Sequence, residues 1–507
     1  MAAVAATPAS LGTTSTSDND AGIDTSDLPE PGQHTTRYVL QAEEELRLEI
    51  PFLGTRQEGT CKIELLKGSC ELWGVELAQN KTYVLDGGFK AAIFTWHGCV
   101  VDITSEHLDI SYTSDETATN VAYVNTHAQL EALRDEAAVA NSNGPRVLIC
   151  GPPESGKSSL AKVLVAYAAK LGRSPIWVDL DPADNSVSVP GTLAAVPMNG
   201  DNVAMETFTT GGIPTGTAPI VLFHGSTTLQ PELYKAQVSA LASKIQQRLD
   251  HQASSNGGEN EKANNPNNNE RSSGIIVNTN GWIQDEGFKL LLHTVDVMKI
   301  SIVLIMGHDR LYSMLNSHFK KNPTDSPPKV IKLPRSGGTV SREAAFLRQA
   351  RSRSIRRYFY GDMVDPPASV GAGGSTSAPS SLQRVPQLTP FLLQIPYNTV
   401  TIYKLSAIAL SASLLPVAAT QSTDSIQVQQ VELTESLKHA LLAVCHPMAV
   451  AAYQQSGRAR DLYEAGVAGF CAVERVVMDS DTLHLLCPCA GSLPSQTLLV
   501  GDITWME

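Results

Sequence analysis

The residues best suited to chemistry form a loop that could hold phosphate. Residues 151–158 read Gly-Pro-Pro-Glu-Ser-Gly-Lys-Ser and match the pattern G-x-x-x-x-G-K-S/T in full. In such a loop, glycines let backbone N–H groups close on phosphate oxygens, and the next helix adds partial positive charge at its N-terminus. Lys157 should bridge the β- and γ-phosphates of ATP while the Ser158 hydroxyl holds Mg²⁺. The predicted ATP-binding residues of the loop are Gly151, Glu154, Ser155, Gly156, Lys157, Ser158 and Ser159.

The segments on either side of the loop support this interpretation. Arg146 to Cys150 is a short apolar run typical of a buried strand. After the loop, apolar residues recur on one helical face until Gly172. A chance glycine turn ahead of a helix is the alternative, and the strand–loop–helix order disfavours it.

A carboxylate follows the next predicted strand, Ile176 to Leu180. Ligands of open α/β sheets lie at the carboxyl ends of the strands, so Asp181 could orient Mg²⁺ or accept a proton from an attacking hydroxyl. The alternative is an aspartate that begins the turn Asp181-Pro182. Asp179 should point the same way from a deeper position.

Two further features could contact nucleic acid. Trp282 comes just after a third apolar run and could stack on a base, although core packing is the simpler alternative. The basic run from Arg348 to Arg357 could form a helical lid whose guanidinium groups reach a transferring phosphate. A solvated basic helix is the alternative there.

The rest of the chain must supply the elements that position these residues. Short alternating runs separated by glycine turns predict an N-terminal all-β sandwich. A helix from Thr126 to about Asn141 then precedes apolar runs that alternate with helix-like stretches, which predicts a P-loop NTPase-like α/β domain with a parallel sheet. Strand-like runs around a helical stretch near Glu435 to Val444 predict a small α+β C-terminal domain.

Composition places the boundaries of these regions. The first residues are polar and small, which predicts a disordered tail, and two polar segments predict insertions in the central domain. The predicted regions are the tail at 1–35, the sandwich at 36–119, the central domain at 120–384 with insertions at 254–273 and 366–381, and the C-terminal domain at 385–507.

Charge and hydropathy narrow the class of protein. The formal net charge is −13, which argues against a general nucleic-acid-coating surface, so any RNA contact should be local or made by a partner. The first residues have neither the basic start nor the apolar stretch of a signal peptide, so we expect a protein that is not secreted, and no run predicts a spanning helix. The eight scattered cysteines predict reduced, mostly buried thiols. The nucleus and the cytosol are the compartments that fit.

Several separate motifs together resemble the polynucleotide 5′-hydroxyl kinase family, in particular its ATP-binding branch in pre-mRNA cleavage factor IA of fungi or II of animals. The resemblance runs from about Val39 to the C-terminus, and the low-complexity insertions look fungal in style. Besides the P-loop, the segments that carry it are Glu45 to Glu49, Phe94 to Gly98, Gly144 to Arg146, Ser186 to Gly191, Gly225 to Thr228, Thr279 to Trp282 and Ile355 to Gly361.

The resemblance implies roles that spacing alone does not give. It implies that Glu45 and Lys90 of the sandwich contact ATP. Thr279 and Trp282 match a clasp that holds the RNA 5′ end. Lys157, Ser158 and Asp181 match the P-loop lysine, the Mg²⁺ ligand and the proposed general base, and Arg351 and Arg356 match the lid arginines. It also implies a nuclear protein that docks on the scaffold subunit of the cleavage factor and meets other 3′-end processing proteins.

One departure from the family pattern separates two functional hypotheses. Active kinases of the family read Asp-x-x-Gln where this chain reads Asp181-Pro-Ala-Asp184. An ionised Asp only accepts hydrogen bonds and adds negative charge beside phosphate. We therefore expect an ATP-binding component of the cleavage factor that holds ATP mainly structurally. The alternative is an active ATP-dependent RNA 5′-hydroxyl kinase. A GTPase or a transport ATPase is the less favoured third alternative, and the guanine-reading N-K-x-D pattern is absent.

Overall fold

The computed structural model describes residues 23–52, 60–209, 211, 216–255, 270–322, 326–364, 385–407 and 426–506. Its N-terminal part is a sandwich of two antiparallel sheets, one with strand order β1-β8-β3-β6 and one with order β5-β4-β7-β2-β9. In β3, Ile63 is buried and Lys62 is exposed, as expected for a strand with one face on a core. The strands are β1 (Thr35–Leu40), β2 (Glu45–Glu49), β3 (Thr60–Gly68), β4 (Glu71–Leu72), β5 (Val75–Glu76), β6 (Thr82–Asp86), β7 (Lys90–Phe94), β8 (Cys99–Thr104) and β9 (Ile110–Ser114). The predicted all-β sandwich is confirmed.

The central part is a seven-stranded sheet with helices on both faces. The strands are β10 (Arg146–Cys150), β11 (Ile176–Asp179), β12 (Thr192–Pro197), β13 (Ile220–Phe223), β14 (Ile275–Asn278), β15 (Ile302–Met306) and β16 (Lys329–Leu333). The helices are α1 (Ala118–Val139), α2 (Lys157–Lys170), α3 (Pro231–Ser255), α4 (Glu270–Ser273), α5 (Glu286–Val297), α6 (Asp309–Lys321) and α7 (Ala344–Tyr360), with a π-helical turn at Met205–Thr209.

Strand order in this sheet is β13-β12-β11-β14-β10-β15-β16, and the five strands from β11 to β16 in that order run parallel. This confirms the predicted parallel sheet around the P-loop strand β10. However, β12 pairs antiparallel with both β11 and β13. The link from Asp179 to Thr192 contains no helix. Parallel neighbours need a crossover, usually helical, so this link returns the chain antiparallel.

The C-terminal part is dominated by a second seven-stranded sheet, of order β19-β24-β23-β22-β25-β20-β21. Its strands are β19 (Phe391–Pro396), β20 (Thr401–Ala407), β21 (Ile426–Gln430), β22 (Ala440–Cys445), β23 (Val467–Val477), β24 (Thr482–Cys487) and β25 (Thr497–Thr504). The ribbon of β17 (Met363–Val364) and β18 (Val385–Pro386) precedes it, and helices α8 (Pro447–Ser456) and α9 (Ala459–Tyr463) flank it.

The prediction of a helix near Glu435 to Val444 was wrong. A 3₁₀ turn covers Glu435–Leu437, and β22 begins at Ala440 with all six of its residues buried. A fully buried apolar run has no alternation, so its pattern alone cannot separate a strand from a buried helix.

Two predicted boundaries also change. The tail was expected to reach residue 35, but Lys67 Nζ donates to the Asp24 carbonyl at 2.7 Å, so the chain is packed on the sandwich from residue 23. The first insertion was expected to end at 273, but α4 is part of the fold: Arg248 Nε donates to Glu270 at 2.7 Å. The remaining tail residues, 1–22, residues 256–269 of the first insertion and the whole second insertion, 366–381, lie outside the described residues.

Helix α7 connects the three parts. Near its middle, Arg353 pairs with Asp86 of the sandwich at 2.5 Å. Near its end, the Phe359 ring stacks on Trp505 of the C-terminal part, with centroids 5.4 Å apart. The sandwich also rests on the P-loop helix α2, where Tyr167 donates a hydrogen bond to Glu71. None of the helices within these described ranges is both long and apolar enough to cross a bilayer.

Candidate functional site

A cleft of about 1020 Å³ opens where the sandwich, the P-loop and α7 meet. Most of the site residues expected from the sequence line it, although they come from distant parts of the chain. The expected residues that line the cleft are Lys90, Glu154, Ser155, Gly156, Lys157, Ser158, Ser159, Asp181, Trp282 and Arg351.

The P-loop has the backbone that its glycines predict. Gly156 precedes α2 with φ of +87°, a conformation that side chains rarely adopt. The Lys157 ammonium donates to the Pro152 carbonyl of its own loop at 2.7 Å. Burial lowers the pKa of Lys157 to about 8, and the Asp181 carboxylate opposes this shift. The lysine is therefore held inside the loop where a phosphate would take over its hydrogen bonds.

A buried hydrogen-bond network supports the loop from below. Asn278, at the end of β14, donates from Nδ2 to Ser158 Oγ at 3.2 Å and to Asp179 Oδ1 at 3.1 Å. Asp179 is fully buried and also accepts from the backbone N–H groups of Asp181 and Ser186. Burial, with the nearby Asp181 charge, raises the pKa of Asp179 to about 7. This network fixes the Ser158 hydroxyl and the start of the loop that carries Asp181.

Asp181 lies in the cleft at the carboxyl end of β11, as expected. Its Oδ1 accepts from the Ala183 N–H at 3.0 Å. Burial, followed by the charge of Asp184, raises the pKa of Asp181 above its usual range. A hydroxyl and a carboxylate facing one cleft are oxygen ligands of the kind that Mg²⁺ prefers, so Ser158 and Asp181 fit that ion.

A second group of cleft residues is held by an ion pair and by hydrogen bonds to the backbone. Arg342 Nη1 lies 3.0 Å from Asp184 Oδ2, and the Arg342 backbone N–H donates to Glu154 of the P-loop at 2.5 Å. Arg351 donates from Nε to the Ala183 carbonyl at 2.9 Å. Trp282 lines the same cleft and is 40% exposed, so it is not the core residue that the simpler alternative expected.

Four expected residues are not among those that line the cleft. Gly151 directly follows β10 and lies against Met306. Glu45 is buried in an ion pair with Arg47 at 2.5 Å. Thr279 is also buried and donates to the Ile149 carbonyl at 2.8 Å. Arg356 lies over the Tyr360 ring, at a small depression next to the cleft.

Sequence reasoning missed four residues of the site. Arg47 lines the cleft beside Tyr112, and the charged-apolar alternation of β2 was the available signal. Lys162 lines it beneath Trp73, whose ring lies 4.5 Å from Nζ. Arg342 and Asn278 had no local signal, because their roles depend on Asp184 and Ser158, which are far away in sequence.

Comparisons with known proteins agree along most of the chain. A family model described as the P-loop of mRNA cleavage and polyadenylation factor CLP1 matches residues 151–361. Models of the N-terminal β-sandwich domain of polyadenylation factor and of pre-mRNA cleavage complex II protein Clp1 match residues 39–137 and 388–507. A solved Clp1p–Pcf11p complex contains a chain of the same fold, with a TM-score of 0.71, 22% identity, and coverage of 94% of this chain and all of that chain.

Individual relatives match over nearly the full length. The CLP1 homolog of Dictyostelium discoideum is 34% identical, covering 93% of this chain and 90% of its own. The human polyribonucleotide 5′-hydroxyl-kinase Clp1 is 31% identical, covering 93% of this chain and 97% of its own. With its complete nucleotide-binding P-loop, sandwich and C-terminal sheet in the same order, the chain belongs to the Clp1 family.

Proposed function

We propose that this chain is the ATP-binding subunit of a nuclear pre-mRNA cleavage and polyadenylation factor, and that it holds ATP rather than turning it over. The family models are described in those terms of mRNA processing. One solved structure of the same fold is a Clp1p–Pcf11p complex, and another concerns the Pcf11p–Clp1p interface and ATP loss in a point mutant. By analogy, the partner of this chain is the scaffold subunit of the cleavage factor.

The nucleotide would lie between the sandwich and the P-loop. Lys157 and the loop N–H groups would hold the β- and γ-phosphates, and Ser158 and Asp181 would hold Mg²⁺. When bound, Mg²⁺ bridges phosphate oxygens and neutralises their charge. Lys90, whose Nζ lies 2.6 Å from Glu49, would approach ATP from the sandwich. Glu45 would act on the same side through its pair with Arg47.

The Asp184–Arg342 pair carries the proposal that ATP is retained. Arg342 is a cation close to the P-loop, where a kinase needs free positive charge on the transferring phosphate. Here its guanidinium is matched by the Asp184 carboxylate, and its backbone is tied to Glu154. The pair lowers the positive potential available to a transition state and leaves the ground-state phosphate contacts of Lys157 in place.

Two measurements test this function. Protein purified without added nucleotide is denatured, and the released nucleotide is quantified by chromatography. We expect close to one ATP per chain, and Lys157→Ala to release almost none. The second measurement is capture of the scaffold subunit by the wild-type chain. Purified protein that carries ADP, or that fails to capture the scaffold subunit, would contradict the proposal.

A second candidate function is RNA 5′-hydroxyl phosphorylation, the activity named for the human relative. The observation in its favour is Asp181, a carboxylate of raised pKa in the same cleft as Lys157 and Arg351. Asp181 would accept the proton of the 5′-hydroxyl, Trp282 and Thr279 would form the clasp on the RNA end, and Arg351 and Arg356 would act from the lid.

Phosphate transfer distinguishes the two functions. Labelled ATP and a 5′-hydroxyl oligoribonucleotide are incubated with the wild type, Lys157→Ala and Asp184→Gln. Retained ATP without transfer by the wild type or Asp184→Gln supports the binding function alone. Transfer by the wild type that Lys157→Ala abolishes would establish the kinase. Transfer only by Asp184→Gln would show that the Asp184–Arg342 pair suppresses it.

A further inference from the structure

One edge of the central domain has a charge opposite to that of the chain as a whole. The segment from Lys299 to Arg342 contains eight Lys or Arg residues and two Asp residues, whereas the full chain has a net charge of −13. We call its exposed cations that form no ion pair with any residue described in the structure the basic edge. They are Lys299, Arg310, Lys320, Lys321, Lys329 and Arg335.

The fold aligns these residues along one side of the sheet. β16 is the outermost strand, after β15, and α6 connects the two and packs on β16. Lys329 pairs in register with Ile302 at the start of β15, whereas Leu333 pairs with Met306 at its end. Lys329 therefore lies at the end of the sheet away from the cleft, about 20 Å from Arg335 for an extended chain.

The basic edge continues into the cleft. Arg335 donates from Nε to Thr339 Oγ1 at 2.5 Å, and Thr339 lines the cleft. The next basic residue along the chain is Arg342, which also lines it. A polyanion that leaves the cleft at this corner would meet Arg335 first and the far lysines last.

The cations of the basic edge have no acidic partners among the residues that the structure describes. Lys332 of β16 forms an ion pair with Asp309 at 2.6 Å, so it is not counted in the basic edge. Two apolar side chains are exposed among the cations: Tyr312 is 37% exposed and Ile331 is 40% exposed. Exposed cations interleaved with an aromatic ring are what single-stranded nucleic acid binds.

A simpler role explains only part of this arrangement. Lysine on an edge strand prevents pairing with another sheet, which would account for Lys329. It does not account for Lys299, Lys320 and Lys321, which lie outside β16. Nor does it explain why this segment of an acidic chain contains only two acidic residues.

We propose that the basic edge binds the phosphate backbone of a single-stranded RNA whose end lies in the cleft. This rests on the second candidate function above only in taking an RNA end to enter the cleft. Because the rest of the chain is strongly acidic, it repels RNA, and the basic edge offers a path of favourable potential. Binding here extends the RNA contact beyond the few nucleotides that the cleft can hold.

The test compares RNA length with surface charge in the full chain. Fluorescent 5′-hydroxyl oligouridylates of 4 and 20 nucleotides are titrated at several salt concentrations. The variant is Lys320→Gln/Lys321→Gln/Lys329→Gln. The matched control is Lys438→Gln/Arg458→Gln/Arg475→Gln, which removes three exposed cations from the C-terminal part. ATP affinity is measured in parallel, so that loss of the nucleotide site is seen separately.

We expect the variant to weaken binding of the 20-mer about tenfold at low salt and to reduce its salt slope by about 2, since three phosphate contacts are lost. The 4-mer, ATP and the control variant should be unchanged. The proposal is overturned if the 20-mer binds within twofold of the wild type, or if the control weakens it equally. It is also overturned if polyglutamate of the same length competes as well as RNA, since the surface would then fit an acidic protein.

Discussion

Two groups of residues around the cleft are held in different ways. Lys157, Ser158, Asp179 and Asn278, here called the phosphate end, are mostly buried and hydrogen-bonded. Asp184, Arg342, Arg351 and Trp282, here called the acceptor end, are more exposed, and Asp184 and Arg342 form an ion pair. Asn278 and Asp179 are fully buried beneath Ser158. Asp184 and Arg342 keep 48% and 33% of their side-chain surface exposed, and Trp282 keeps 40% of its surface. Buried networks fix geometry before a ligand arrives, but exposed pairs are weak and screened. The phosphate end is therefore preorganised, and the acceptor end is adjustable.

The largest effect should come from the phosphate end. Lys157→Met keeps the length of the side chain but removes its charge, so contacts to two phosphates are lost. We expect ATP affinity to fall about 100-fold, which corresponds to a charged hydrogen bond or two. Calorimetric titration of nucleotide-free protein measures this. Arg351→Met at the acceptor end is the control, and an equal loss there would break the comparison.

The substitution Asn278→Ala should have the second largest effect. It removes the buried amide that donates to Ser158 and leaves Asp179 with its two backbone donors only. We therefore expect the free energy of unfolding to fall by about 1–3 kcal/mol. Asp184→Ala at the acceptor end should cost under about 1 kcal/mol, because its ion pair is half exposed. Urea denaturation compares the two variants. Equal losses would show that the acceptor end is as tightly built as the phosphate end.

Acid should weaken the support behind the P-loop helix. Burial lowers the pKa of His127 to about 4, and its ring contacts Tyr167 of α2. The folded chain keeps the ring neutral, while the unfolded chain protonates it near pH 6.5, so stability is lost as pH falls from about 6.5 toward 4. At pH 5 this difference in the pKa of His127 lowers the free energy of unfolding by about 2 kcal/mol. Urea denaturation at pH 7 and pH 5 should show that His127→Gln loses less free energy of unfolding on acidification than the wild type. An equal loss in the two proteins would contradict this.

Trp282→Ala should have the smallest effect on stability. Its ring is partly exposed at the rim, so we expect unfolding to change by less than about 0.5 kcal/mol. If the ring stacks on a base, binding of a short oligoribonucleotide should weaken by about 1–3 kcal/mol. Thermal unfolding and fluorescence titration separate the two effects. A large loss of stability would mean that Trp282 is packing rather than a clasp.

Much of the phosphate end could be predicted because its signals are local. The P-loop pattern, the strand before it and the helix after it are contiguous, so spacing alone identified Lys157 and Ser158. Asp181 was predicted by the rule that ligands gather at the carboxyl ends of parallel strands. The antiparallel β12 and the buried strand β22 were missed, since a short link and a non-alternating apolar run have no pattern that identifies them.

The sequence by itself determined the kind of ligand, because a complete phosphate loop with its strand and helix needs no distant residue to be recognised. The tertiary structure decided which distant groups meet that loop. It placed Asn278 under Ser158, Arg342 against Asp184, and the sandwich and α7 around the cleft. The physical reason is that these contacts depend on chain segments about 100 or more residues apart, whose meeting is set by packing of the sheets rather than by local propensity.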